Sequence, residues 1–285
     1  MIYDCFIFFN ELDLLELRLR ELNHIVDKFV LVEADRTFQN KPKPYIFEEN
    51  KERFKEFLPK IIHIKINNYP KFNKFFNPFS PWKLESHQRN SMTQGLKNCN
   101  PDDLILFSDV DEIPNPKVLK RLTKNPLQQI VGLKMHMYMY FFNNKVVFSE
   151  GSRMTEKESK SGWWHCSAVM PYKLLKKKPQ HYRKTIMRTK RKGEIYKIIP
   201  NAGWHFTYLG GVQKIQEKLE AFSHTEYNNS TYKNDQNINE SLKKGRDLFG
   251  RNLRFKIIDP FNEELPDTLK KERLHEHYSH HFFSE

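Results

Sequence analysis

Residues 3–34 read YDCFIFFNELDLLELRLRELNHIVDKFVLVEA, and how these positions fold decides the architecture. Tyr3–Phe9 is an almost unbroken apolar run of strand length. In the leucine-rich stretch after it, Leu12, Leu15, Leu19, Leu22, Val26 and Phe29 recur at spacings of three and four, which is one apolar face of a helix. Asn10 stands where an N-cap belongs, with Glu11 and Asp13 in the first turn, where acids complement the helix dipole. Phe29–Ala34 then reads as a second strand. A strand, an amphipathic helix and a strand within about 30 residues make a βαβ unit, which implies parallel strands joined by a right-handed crossover.

The alternation continues outward: a helix over Glu49–Phe57, a strand at Ile61–Ile66, a helix over Lys83–Lys97 and a strand from Leu104 to Ser108. That last strand opens the stretch LILFSDVDEIPNP (104–116), where an apolar run breaks into three acids, Asp109, Asp111 and Glu112. Like charges so close repel, and a fold tolerates them when solvent, a basic side chain or a metal cation relieves the repulsion. Their place is the carboxyl end of a strand in a parallel sheet, the edge at which open α/β sheets bind ligands. Further on, a short helix covers Lys117–Lys124, and the run Ile130–Phe142 turns at Asn143–Lys145 into a hairpin. Lys173–Lys197 is strongly basic, Gly210-Gly211 opens a helix, Asn228–Asn239 has the composition of a loop, and the tail Lys270–Glu285 reads as charged and peripheral.

These elements predict one α/β domain over 1–285, with a mostly parallel central sheet flanked by helices. Residues 1–125 form its βαβ half, 126–227 a second half, and 228–285 a C-terminal helical elaboration. The 23 Phe, 12 Tyr and 4 Trp exclude a disordered chain, because they supply the burial that offsets chain entropy. Forty-eight Lys and Arg against 35 Asp and Glu leave a net charge of +13, which favours anionic partners or is simply a solvated basic surface. Cys5, Cys99 and Cys166 form neither a disulfide framework nor a thiolate zinc pattern, and a reducing compartment suits them. There is no signal-like leader and no apolar run of the ~18 to 20 residues that span a bilayer, so a soluble, cytoplasmic protein is expected.

Chemistry follows from spacing. Asp109 and Asp111, two apart on extended backbone, send their carboxylates to one side, and hard oxygen ligands in that arrangement suit Mg²⁺ or Mn²⁺. A solvated acidic turn is the alternative. His205, in AGWHFTYLGG (202–211), is either an imidazole brought to a ligand or a core histidine bonded to a carbonyl. Glu33 ends its strand beside a loop carrying Arg36, Lys41 and Lys43 at the same edge as Asp109. Arg89 could hold a diphosphate by charge-assisted bonds, or pair with Glu85 one helical turn away.

In chain order, YDCFIFFNELDLLELRLREL, VDKFVLVEADRTFQNKPKP, QRNSMTQGL, DDLILFSDVDEIP and NAGWHFTYLGGVQKIQEKLEAFSH resemble glycosyltransferase family 17, over Ile2 to about His224. The resemblance implies a GT-A-type nucleotide-sugar transferase fold and an inverting enzyme that uses UDP-N-acetylglucosamine with Mn²⁺ or Mg²⁺ on a glycan or glycolipid acceptor. It implies that 1–125 is the nucleotide-binding half and 126–227 the half that meets the acceptor and completes the metal site, that Asp111 holds the metal, that Asp109 contacts the ribose or the metal shell, and that His205 completes the metal site. Glu11, Glu33, Lys43 and Arg89 would lie about the nucleotide pocket, and Glu112, Glu150 and Glu226 are candidate bases for the acceptor hydroxyl. Where animal relatives carry GWHCSWCF this chain has GWHFTYLGG, and where they carry an anchor it begins at its first strand. Both departures imply a bacterial or viral enzyme in the cytoplasm, with peripheral membrane contact open to it. Two other readings stand beside this one: a nucleic-acid binder built on basic Leu174–Lys192, and a non-catalytic saccharide binder stacking sugars on Phe72–Trp82.

Overall fold

A computed structural model describes residues 1–72, 78–124, 127–149, 163–192 and 196–284. Its strands are β1 (Ile2–Phe8), β2 (Lys28–Ala34), β3 (Ile61–Ile66), β4 (Leu104–Asp109), β5 (Glu112–Pro114), β6 (Val131–Met139), β7 (Asn144–Ser149), β8 (Trp163–Pro171), β9 (Lys197–Ile199), β10 (Gly203–Thr207) and β11 (Leu253–Ile257). The principal helices are α1 (Leu12–Leu22), α2 (Pro81–Asn90), α3 (Pro116–Lys124), α4 (Pro179–Lys192), α5 (Gly211–Ala221), α6 (Asp235–Lys244) and α7 (Glu272–His277).

The opening unit forms as its periodicity predicts. β1 and β2 pair in parallel, and α1 lays Leu15, Leu19 and Leu22 against Phe6, Phe8, Phe29 and Leu31 on one face of the sheet. The parallel half runs β3-β2-β1-β4. Beyond β4 the order continues β8-β6-β7-β11, each strand antiparallel to the one before, so the sheet as a whole is mixed. The fold is of the GT-A type the resemblance implies, but the sheet expected to be mostly parallel is parallel only in the half that ends at β4 and antiparallel beyond it. β10 lies parallel to β6 and antiparallel to β5, which sets His205 opposite Glu112.

Four local expectations change, each for a local reason. Asn10 does not cap α1; Glu11 occupies that position and accepts from the N–H groups of Phe9 and Asn10 at 3.1 and 3.0 Å, while the Asn10 amide donates to Glu217 at 2.7 Å. The helix expected over Glu49–Phe57 is one turn at Ile46–Glu49 and a 3-10 turn at Lys51–Phe54, broken where the Asn50 side chain donates to the Ile46 carbonyl at 2.8 Å. α2 gives way at Asn90 to a 3-10 helix, Ser91–Leu96, as the Ser91 hydroxyl donates back to the His87 carbonyl at 2.9 Å. The loop expected at Asn228–Asn239 holds two helices, Ser230–Lys233 and α6, because Asn229 and Asn234 cap them with their side chains.

The C-terminal tail is not peripheral. Tyr278 and Phe282 are buried with Leu14 and Leu17 of α1 and with Ile113, Tyr138, Trp204 and Phe206 of β5, β6 and β10. Among the described residues no helix is long and apolar enough to cross a membrane.

Candidate active site

The acidic turn is built around a buried guanidinium. Arg18, in the middle of α1, is fully buried and donates to both carboxylate oxygens of Asp4 at 2.8 and 2.6 Å, and to the Ser108 hydroxyl at 2.6 Å. Its Nη1 reaches the main-chain carbonyls of Asp109, Val110 and Glu112 at 2.9, 3.2 and 2.8 Å. Three carbonyls gathered on one cation fix the backbone of the turn, and therefore the direction in which its acids project.

Basic side chains meet all three acids. Arg89, from α2, donates to Asp109 at 2.9 and 3.1 Å and to Glu85 at 2.8 Å, so the pairing expected within the helix extends to the turn. Arg183, from α4, stands 2.7 Å from Asp109 and 2.9 Å from Glu112. Glu112 is wholly buried and also accepts from the Trp164 indole at 2.6 Å, the Ser167 hydroxyl at 2.7 Å and the Asp109 N–H at 3.2 Å. Asp111 faces Lys218, from α5, at 3.1 Å and the His205 Nε2 at 3.6 Å. The repulsion noted in the sequence is relieved chiefly by Arg89, Arg183 and Lys218.

These surroundings set the protonation of the acids. Burial works against the charged form of Glu112, but the charge and hydrogen bonds of Arg183 outweigh it and bring the carboxyl down from 4.5 to about 2. Asp111 is likewise held well below the usual carboxylate range, with Lys218 and His205 overcoming burial. Asp109 moves the other way, pushed up by burial and by the neighbouring acids against its arginines. A depressed carboxyl stabilises the fold above its unfolded value, and that contribution fades as pH falls through the folded one. We therefore expect the stability gap between the wild type and Glu112→Gln to be widest near neutrality and to narrow as pH falls from 4.5 towards about 2. Urea unfolding across that range measures it, and parallel profiles for the two proteins would contradict the assignment.

His205 is positioned by a glycine. Gly203 has φ of 151°, and a Cβ there would lie 2.2 Å from the Ile113 carbonyl oxygen, so β10 can approach β5 only without a side chain at this position. Gly203→Ala is expected to destabilise the fold by about 1–3 kcal/mol or more and to displace His205; thermal unfolding together with the imidazole NMR shift of His205 would show it. The ring stacks on Trp164 with centroids 4.4 Å apart, and its buried Nδ1 has no hydrogen-bond partner. The His205 Nε2 faces the Asp111 Oδ2 at 3.6 Å, beyond hydrogen-bond distance. A carboxylate oxygen and an imidazole nitrogen converging in this way fit a divalent cation, and the imidazole favours Mn²⁺ over Mg²⁺. Asp109 offers less, because Arg89 and Arg183 already hold its oxygens.

The structure brings Asp109, Asp111, Glu112, Arg89 and His205 together, and Glu11 lies close enough to Lys218 to raise its pKa, after Asp111. It does not bring Glu33 and Lys43 to them. Glu33 projects from the α1 face of the sheet, whereas Asp109, beside Ile7, projects from the other. There Glu33 is buried against Lys43 at 3.1 Å, His63 at 3.2 Å and the Phe47 N–H at 3.3 Å, a knot that fastens the loop after β2. Glu226 lies at the surface, paired with His224 at 2.7 Å. Glu150 and residues 73–77 of the Phe72–Trp82 stretch lie outside the described residues. Sequence reasoning did not reach Arg18, Trp164, Arg183 or Lys218.

A family model described as glycosyltransferase family 17 matches residues 1–253. The human β-1,4-mannosyl-glycoprotein 4-β-N-acetylglucosaminyltransferase is 31% identical over 111 residues, 37% of this chain and 20% of that protein. The mouse enzyme of the same name is 30% identical over the same shares. The chain thus spans about a fifth of the length of these relatives. Among solved structures, an inositol-1-phosphate CTP transferase from T. maritima is 14% identical, with a TM-score of 0.38 over 70% of this chain and 84% of that one. Glucosyl-3-phosphoglycerate synthase from Mycobacterium tuberculosis, in complex with Mn²⁺, UDP and phosphoglyceric acid, is 11% identical, with a TM-score of 0.35 over 72% and 69%.

Proposed function

We propose, from the premise that the chain belongs to glycosyltransferase family 17, that it moves a sugar from a nucleoside diphosphate to a glycan or glycolipid hydroxyl with inversion. UDP-N-acetylglucosamine is the donor we propose first, because the relatives are named N-acetylglucosaminyltransferases, with a divalent cation, Mn²⁺ before Mg²⁺. The observation that carries this reading is the convergence of Asp111, His205 and Lys218 at the carboxyl end of β4.

Asp111 and His205 would hold the cation. When bound, it supplies positive charge to the phosphate oxygens of the departing nucleoside diphosphate. Lys218 is ionised, its pKa raised by Asp111 and Glu11 against burial, and its flexible stem lets the ammonium leave Asp111 for an incoming phosphate. Arg89 and Arg183 hold Asp109 and Glu112 in place, and Asp109 keeps an exposed edge for the ribose or for water of the metal shell. Glu112, buried, ionised and already accepting from Arg183, Trp164, Ser167 and Asp109, serves in this reading to position Trp164 under His205 rather than as the base. We also place the protein in the cytoplasm, where its three free cysteines would stay reduced.

Turnover of a panel of UDP-, GDP-, CMP- and dTDP-sugars, with oligosaccharide and glycolipid acceptors, tests the reading. We expect UDP-N-acetylglucosamine to be consumed fastest, with Mn²⁺ present and not in EDTA. Turnover of no donor at all would refute the transferase reading; turnover undiminished by EDTA would refute the cation.

A further inference from the structure

We propose a second divalent-cation site, separate from the first, at which Asp13 of α1 and His280 and His281 of the C-terminal tail ligate Zn²⁺ or another transition ion that favours nitrogen ligands. The Asp13 Oδ2 lies 2.8 Å from the His281 Nε2 and 3.4 Å from the His280 Nε2. One donor atom from each of the three residues falls within 4.8 Å of the other two. The tail contributes its pair from a 3-10 turn, Ser279–His281, and the two imidazole rings stand with centroids 4.0 Å apart. His281 is buried, its ring packed against Phe142 at 5.2 Å, so its direction is fixed.

The charges around Asp13 favour a single ion. Arg53 donates to the other oxygen, Oδ1, at 2.5 Å and to Glu16 at 2.6 and 2.8 Å, which orients the carboxylate and leaves Oδ2 to the imidazoles. Arg20, at 2.9 Å, and His277, at 3.6 Å, share Glu16 with Arg53. In the tautomer that carries its proton on Nδ1, each ring turns an Nε2 lone pair towards the Asp13 Oδ2, and one divalent ion then satisfies both rings and the oxygen. Two nitrogens and one oxygen suit Zn²⁺, Co²⁺ or Ni²⁺ better than Mg²⁺.

The sequence carries an independent signal. Residues 275–281 read HEHYSHH, a histidine-rich tract. It lies beyond residue 253, where the family match ends. Occupied, the site would fasten the tail to α1, the helix that also carries Arg18.

The test uses the full chain as Asp111→Asn, stripped with a chelator, so that the site at the acidic turn is silenced and failure of either proposal can be told apart. Co²⁺ titration followed by visible absorption is expected to show one tightly bound ion with histidine nitrogen ligands, and Zn²⁺ alone is expected to raise the unfolding temperature. His280→Ala, a change at the surface, should leave folding without metal and sugar turnover in the otherwise native chain unchanged while weakening Co²⁺ binding by at least about tenfold; His281→Ala should weaken it as well. Absence of Co²⁺ binding, or equal binding by His280→Ala, would overturn the proposal.

Discussion

Arg18→Met is expected to remove about 3–5 kcal/mol of stability, the usual result of breaking a buried ion pair from one side. Asp4, fully buried, would be left charged without its partner, and the carbonyls of Asp109, Val110 and Glu112 would lose their common donor. In a chain of this length such a loss lowers the unfolding temperature by roughly 10 °C. The double variant Asp4→Asn/Arg18→Met separates the two roles. Removing the orphaned charge should restore much of the stability, because a neutral amide costs less to bury than an unpaired carboxylate. It restores nothing to the carbonyls of the turn, so cation and donor binding should stay weak in a protein that again unfolds cooperatively. If the double variant regained binding along with stability, Arg18 would be a core ion pair with no hold on the site. Calorimetry for stability and titration of a UDP-sugar with Mn²⁺ for binding give the two readings.

How much of this the sequence carried depends on how local each cause is. The βαβ unit was legible because α1 owes its face to its own spacing, and the placing of Asp109 followed from a strand that ends in it; Asp111, expected on the same extended backbone, lies instead in the turn before β5. His205 was legible as a candidate because it sits among glycines, and Gly203 indeed makes a contact that no side chain permits. Arg183 was not. The stretch from Lys173 is basic at nearly every turn, so nothing in its pattern distinguishes the arginine that reaches Asp109 and Glu112 from those in water; only the packing of Tyr182 and Ile186 decides it. Lys218 lay on a helix that was foreseen, but its partner is 107 positions away. Arg18 and Asp4 did leave a trace: each interrupts an apolar face, and opposite charges in two adjacent apolar elements are what a buried pair looks like in a sequence. The tail was misjudged on its charge, though its aromatic residues Tyr278 and Phe282 are what bury it.

The largest effect on function is expected at Asp111. Asp111→Asn keeps the shape of the side chain and removes the charge, and should lower turnover by at least about 10²- to 10³-fold, the loss that follows when one preorganised charge-stabilising group is removed. Donor affinity should also stop depending on Mn²⁺. Because its carboxyl is held far below the ordinary range, Asp111 is ionised throughout the neutral region, and the loss should not be recovered at any pH from 6 to 9. His205→Ala should weaken cation binding by about 10- to 100-fold while leaving some turnover at saturating Mn²⁺. Lys218 makes the decisive contrast, since its ammonium shares the Asp111 oxygen that faces His205. If it competes with the cation there and goes to the phosphates when the donor arrives, Lys218→Met should bind Mn²⁺ more tightly and yet turn over more slowly. A lysine that only balanced charge would give tighter binding with turnover intact, and one that only held the fold would change neither beyond the loss of stability. Calorimetric Mn²⁺ affinity and kcat, measured on the same preparations of the three variants, distinguish these outcomes, because the proposed exchange of Lys218 alone moves the two quantities in opposite directions.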